Sequence, residues 1–273
     1  MTPNSARPLG DHLRAWRQRR RLSQLDLALD AEISQKHLSF VESGRSVPSR
    51  DMVLRLAEQL GVPLRERNVM LLAAGYAPIF PERSLDDPSL KAARDAIDPV
   101  LKGQEPYPAL AVDRHWTLLA ANAAVPPLLA GVADAGLLQP PVNVLRLSLH
   151  PNGLTTRIAN LAEWRSHLLD RLRRQIDLTA DPALAQLMGE LLAYPAPSGS
   201  ARHGEPRRDY GGVVVPLQLV TEHGLLSLFS TTTVFGTSVE VTLSELALES
   251  FFPADPATAG ILRSLGETRR SPT

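Results

Sequence analysis

The chain has 273 residues, of which 44% are hydrophobic, with 29 Lys and Arg balanced by 29 Asp and Glu and no cysteine. Such a length suits one large or two modest domains with real apolar cores, and the missing cysteine excludes disulfides and thiolate metal sites, in keeping with a reducing cytoplasm. The opening Met-Thr-Pro-Asn-Ser-Ala-Arg holds no apolar signal run, and no stretch nears the ~20 apolar residues of a membrane helix, so a cytoplasmic protein without membrane insertion is expected.

The neutral total conceals an uneven spread. Up to about residue 70, twelve Arg and Lys face eight Asp and Glu, about +4 for this segment. Here the spacing predicts a helix from about Leu9 to Arg20, with Leu13 and Trp16 on an apolar stripe. Ser23 is a natural N-cap for a second helix, with Asp26 in the place of a capping-box acid and Leu27 and Ala28 facing inward. Ser34 caps a third, whose Leu38 and Val41 are buried and which Gly44 ends. Ser49 opens a fourth, stopped by Gly61, and Pro63 begins a fifth that runs to Gly75. Residues 1–75 therefore read as an all-α domain of five short helices.

The third helix leaves Gln35, Lys36, Ser39 and Phe40 outside, and Gln24 stands at the start of the second. Glutamine offers a donor and an acceptor to adenine, lysine reaches guanine, and an aromatic surface suits the thymine methyl. A helix N-terminus such as that at Ser34 presents free N–H groups to phosphate. Glu42 reads as the partner of a nearby arginine, because a carboxylate near phosphates is repulsive, and Trp16 reads as core.

Leu22-Ser23-Gln24-Leu25-Asp26-Leu27-Ala28 and Leu38-Ser39-Phe40-Val41-Glu42-Ser43-Gly44-Arg45-Ser46-Val47-Pro48 resemble the two blocks of the Cro/C1-type (XRE) family, whose helix-turn-helix is lambda-repressor-like. The resemblance implies binding to double-stranded operator DNA. Gln24 would touch the DNA backbone or a base edge, Gln35, Lys36 and Ser39 would read bases, and Arg45 and Ser49 would lie near phosphates. With Ser34 and Phe40 these form the candidate DNA-contact set. One position departs: where the family often carries glycine between the second and third helices, this chain has Glu32, at a cost of about 1 kcal/mol if left-handed φ is required.

Gly75–Pro88 carries three prolines, and residues 76–87 read as a stiff linker. Asp87 or Ser89 then opens a helix through about Lys102. Two β-segments, Ala109–Asp113 and Trp116–Ala120, are joined by Arg114-His115 as a tight hairpin. Helices are predicted over Asn143–Leu149, Thr155–Ile176 and Pro182–Tyr194, the second with a solvated Arg-rich face. After a loop at about 195–211, strands are predicted at Gly212–Val220, Leu225–Phe235 and Ser244–Phe252, then a helix at Pro256–Leu265 and a frayed polar tail at 269–273. Residues 88–268 thus read as an α+β domain with an antiparallel sheet of about five strands, PAS-like in its layers.

Val112-Asp113-Arg114-His115-Trp116-Thr117-Leu118-Leu119-Ala120-Ala121-Asn122 resembles the opening of the MmyB-like regulator ligand-binding domain. Asn143-Val144-Leu145-Arg146, His150-Pro151 and Ile158-Ala159-Asn160-(x)3-Trp164 resemble its central block, and Leu248–Asp255 its final strand and turn. The loop Pro195–Tyr210 departs from the pattern. The resemblance implies a PAS-like domain that binds an apolar small molecule, with long-chain fatty acids as the ligand class, and with the helix-turn-helix a homodimeric transcription regulator is expected. A lipid pocket needs an apolar tunnel and a few polar groups. Wall candidates are Trp116, Leu118, Trp164, Leu168, Leu217, Leu228, Phe229 and Phe251, and candidates for the polar end are Asn122, Arg146, His150 and Arg165.

No catalytic signature accompanies these features. The seven histidines lack metal-binding spacing, and neither a Gly-x-Ser-x-Gly elbow nor a phosphate-cradling glycine loop occurs, so no enzyme, metal site or cofactor is expected. The rival reading is a ligand-independent DNA-binding regulator whose C-terminal domain serves only dimerisation or partner binding.

Overall fold

In the computed structural model, which describes residues 7–85, 87–195, 215–235 and 240–270, the chain forms two compact units. The first gathers the described residues up to Ser84, with Asp177–Ala180 and the described part of 237–244, and the second gathers the rest. Side-chain caps decide where the first helices begin. After α1 (Leu9–Arg19), Ser23 Oγ accepts from Asp26 N and Asp26 Oδ2 accepts from Ser23 N, a closed capping box that starts α2 (Gln24–Asp30). Ser34 and Ser49 accept from His37 N and Met52 N and start α3 (Gln35–Glu42) and α4 (Arg50–Gln59). Pro63 is the N-cap of α5 (Leu64–Ala73), one position before the first helical residue expected of it. The five-helix region closes on a core that includes Leu13, Trp16, Leu27, Leu38, Leu56 and Leu71. Glu32 takes φ +55°, left-handed backbone at the position between α2 and α3 where the family often carries glycine.

In the second unit, a single 3-10 turn at Pro88–Leu90 is capped by Asp87, whose Oδ1 accepts from Ser89 N. It leads into α6 (Lys91–Gly103). Then come β1 (Ala109–Val112), β2 (Leu118–Ala121), α7 (Pro126–Leu129), α8 (Val144–Leu149), α9 (Leu161–Thr179) and α10 (Pro182–Ala193). The chain continues through β3 (Leu217–Thr221), β4 (Gly224–Val234), α11 (Val241–Ser244), β5 (Ala247–Pro253) and α12 (Pro256–Arg270). The five strands form one sheet in the order β2-β1-β5-β4-β3, with every neighbouring pair antiparallel. This is the α+β, PAS-like arrangement expected.

Because strand side chains alternate, the sheet sorts its residues between two cores. Leu110, Val112 and Leu228 join Trp164, Leu168 and Leu172 of α9 and Leu184 and Leu191 of α10. Ala109, Ala111 and Leu248 turn the other way, against Ile97 and Leu101 of α6.

Several boundaries differ from expectation, three of them for a local reason. Arg114-His115 is not the whole hairpin turn: Asp113 Oδ1 accepts from both His115 N and Thr117 N at 2.8 Å, and Trp116 takes φ +68°. The aspartate draws Trp116 into the turn, so β2 begins at Leu118. The helix expected over Thr155–Ile176 is only a 3-10 turn at Thr155–Arg157 before Ile158 bridges to Leu219, and α9 starts at Leu161. The strand expected from Ser244 starts at Ala247, because 241–244 are helical. At the end of the chain α12 continues through Arg270, beyond the Leu265 expected and into the predicted tail. The loop at Pro195–Tyr210 and the first residues of the strand predicted at Gly212–Val220 lie, apart from Pro195, outside the described residues, as do 271–273 of the tail.

Candidate functional site

The geometry around α3 is set by one buried acid. Glu42 is only 3% exposed, and a buried carboxylate must be compensated. Arg17 donates to it twice, from Nε at 2.6 Å and Nη2 at 2.9 Å, and Gln24 Nε2 donates at 2.8 Å. Burial pushes the Glu42 carboxyl up. The hydrogen bonds from Arg17 and Gln24, with the charges of Arg17 and Arg14, outweigh this and hold it below the ordinary glutamate value. The hydrogen bond to Glu42 in turn raises Arg17, against its own desolvation. Arg14 Nη2 holds the Glu42 carbonyl at 3.0 Å, and α1 approaches the same carbonyl at Gly10, where a Cβ would stand 2.3 Å from the oxygen. Glycine is what permits this contact. α1, α2 and α3 are thereby tied at one point, as Glu42's predicted pairing with an arginine required.

The opposite side of α3 is open. Gln35 and Lys36 are exposed, while Ser39 and Phe40 are half-buried. Lys36 Nζ and the Arg45 guanidinium stand 5.7 and 5.5 Å from the Phe40 ring centroid, stacking two cations on one aromatic. Gln24 turns its amide nitrogen to Glu42, and the Ser34 and Ser49 hydroxyls cap helices. What these two serines present outward is therefore the start of a helix.

In the second unit a cavity of about 120 Å³ lies between α8, α9 and the sheet. Its lining is apolar, built from leucines of β1–β4, α7, α8 and α9, together with Trp116, Trp164 and Phe251. Leu118, Leu168, Leu217 and Leu228, predicted as walls, are among them. Trp164 Nε1 donates to Ser148 Oγ at 3.0 Å and Trp116 Nε1 to Gln175 Oε1 at 2.8 Å, so both indoles are fixed. Arg171 and Glu249 bring charge to this lining, and they face each other. Arg171 Nη1 donates to Glu249 Oε2 at 2.9 Å, Nη2 donates to the other carboxylate oxygen, and the guanidinium lies 4.6 Å from the Trp116 ring centroid.

Residues 8–70 match a helix-turn-helix domain, and residues 93–265, more than half of the chain, match the MmyB-like transcription regulator ligand binding domain. The chain belongs to the MmyB-like transcription regulators. None of the curated proteins searched matches it. The family is one of regulators, not of enzymes: a helix-turn-helix that binds DNA, joined to a domain that takes a small-molecule effector. Among the described residues of this MmyB-like regulator, no helix is long and apolar enough to cross a membrane.

The predicted polar residues of the regulator lie outside the cavity lining, each engaged in fold contacts. Asn122, 4% exposed, accepts from Ala109 N and Ala124 N and donates to the carbonyls of Leu101 and Tyr107, pinning the end of β2. Arg146 pairs bidentately with Glu190, which also accepts from Tyr194. Burial and the bond to Glu190 push the Tyr194 hydroxyl up to about 12. His150 ends α8 and accepts from Asn152 N through Nδ1. Arg165 donates to the carbonyls of Leu191, Leu192, Tyr194 and Pro195, closing the C-terminus of α10. Phe229 stacks on Phe252 at 5.6 Å on the far face of the sheet, since its neighbours Leu228 and Ser230 take the cavity side. The sequence reading missed Arg171 and Glu249. Their signal was spacing: Arg171 stands seven residues after Trp164 and three after Leu168 on a helix, and Glu249 two before Phe251 on a strand.

Proposed function

We propose that this regulator reads a specific operator through α3 and responds to a ligand with a long alkyl chain, the class to which fatty acids belong, held in the cavity of its C-terminal unit. The reading assigns DNA binding to residues 1–75, connection to 76–87 and ligand binding to 88–268. It places the protein in the cytoplasm as a homodimer. Gln35, Lys36 and Ser39 meet base edges, Phe40 offers an apolar surface, Gln24 touches the DNA backbone or a base edge, and Ser34, Arg45 and Ser49 lie at the phosphate backbone. Two such helices in a dimer would lie about one DNA turn (~34 Å) apart on a near-palindromic site.

The cavity carries the effector half of this reading. Its walls are leucine, tryptophan and phenylalanine, and its polar groups are few, as a pocket for an apolar ligand requires. Its volume approaches that of apolar cavities (~150 Å³) that take a benzene-sized guest, so it suits one segment of a longer chain. Native mass spectrometry of the purified protein tests this half. A lipid-sized adduct is expected, whereas a protein that carries no adduct and takes up no added lipid supports the dimerisation-only rival. For the DNA half, replacing Gln35 and Lys36 together by alanine should abolish discrimination between operator and scrambled DNA while weak salt-sensitive binding persists. Unchanged discrimination would remove α3 from its assigned role.

A further inference from the structure

The cavity's charge is already neutralised from within. Arg171 spends two donors on Glu249, and its Nη2 also reaches Thr232 Oγ1 at 2.6 Å. Thr232 Oγ1 in turn donates to Glu249 at 3.0 Å. Glu249 is 3% exposed, and the guanidinium is fixed from one face by the Trp116 ring. A carboxylate entering this end would have to share Arg171 with Glu249, setting a second negative charge beside a buried acid, or take it away, leaving that acid without its cation. Both consequences are costly. A neutral head group faces no such penalty. A guanidinium has five donors and a carboxylate about four acceptor positions, so a hydroxyl or ester oxygen can add to the existing pair, with the Ser148 and Ser230 hydroxyls also in the lining.

We infer that the regulator takes an uncharged amphiphile, such as a long-chain alcohol, ester or lactone, or a fatty acid only in its protonated form, with its polar end at Arg171–Glu249. The inference rests on the effector reading above. It goes beyond it by fixing the charge of the ligand, with Arg171 and Glu249 as the residues that set this specificity.

Matched ligands of equal chain length test it on the full-length protein, stripped of co-purifying lipid. Binding of 1-octanol, 1-dodecanol, octanoate and dodecanoate is followed by tryptophan fluorescence, since Trp116 and Trp164 line the cavity. At pH 8 each alcohol should bind about tenfold or more tighter than the acid of the same length. The acids should gain about tenfold in affinity for each pH unit lowered from 8 to 6, since only the form protonated near the ordinary carboxyl range binds, while the alcohols stay unchanged. In Glu249→Gln the order should reverse, because Arg171 is then free to clamp a carboxylate. Acids that bind as tightly as alcohols at pH 8, with no pH dependence, would overturn the charge rule and leave the effector reading standing. If none of the four ligands binds, the effector reading falls, and the inference with it. Should Glu249→Gln fail to fold, the wild-type pH series decides alone.

Discussion

Of the four described non-glycine residues with left-handed backbone, Glu32 at φ +55° and Trp116 at φ +68° hold it for different reasons. Trp116 is drawn there by the turn at Asp113 and kept there by its burial, the Gln175 hydrogen bond and the Arg171 stack, so the strain coincides with a wall of the ligand cavity. Glu32 is exposed, and only the short α2–α3 connection holds it. Left-handed backbone costs about 1 kcal/mol or more for an L-residue, while glycine loses roughly half of that through its freer unfolded state. Glu32→Gly should therefore stabilise the helix-turn-helix by about 0.5 kcal/mol. Slower hydrogen exchange of the α2 and α3 amides in the full chain would register the gain, and faster exchange would show that the turn is not strained. The Glu32 conformation was legible because the family that the helix-turn-helix resembles often carries glycine at that place. That of Trp116 was not, because it depends on which backbone amides one aspartate collects.

At the scale of elements, Glu42 joins three helices and makes their junction sensitive to acid. Its carboxyl lies below the ordinary value because the bonds and charges of Arg17, Gln24 and Arg14 outweigh the burial that raises it. A depressed carboxyl contributes stability that is complete above the unfolded value, about 4.5, and fades as pH falls through the lower folded value. The α1–α2–α3 region should thus begin to loosen below about pH 4.5. Glu42→Gln, lower in stability at pH 7, should lose this portion of the acid dependence. Hydrogen exchange of α3 amides at pH 3 to 6 reads both effects, and parallel pH profiles in the two proteins would count against the assignment.

The helix starts here were readable from Ser23, Ser34 and Ser49 because a cap is a local bond. The polar end of the cavity was not. Arg146 and Arg165 stand near the right helices but are drawn to Glu190 and to the carbonyls ending α10, partners that only the fold brings close. Arg171 was read as part of a solvated face because its charge concealed its position below Trp164 and Leu168 on α9.

At the scale of the whole molecule, each unit has its own core, and each is matched by its own family signature. A regulator built this way responds to an effector only if the DNA-bound and free forms of the chain differ in affinity for it, for a ligand with equal affinity for both shifts nothing. That coupling must be reciprocal, typically by 5–150-fold for ~1–3 kcal/mol. Saturating 1-dodecanol should therefore change the operator affinity of the full chain by a factor in this range. Saturating operator should change the 1-dodecanol affinity by the same factor, read by DNA anisotropy in one direction and tryptophan fluorescence in the other. The direction of the common factor makes the ligand an inducer or a co-repressor, while its size gives the free energy that separates the two forms. An alcohol that binds the cavity but leaves operator affinity unchanged would mean that the cavity is occupied without being sensed. The C-terminal unit would then act in assembly alone.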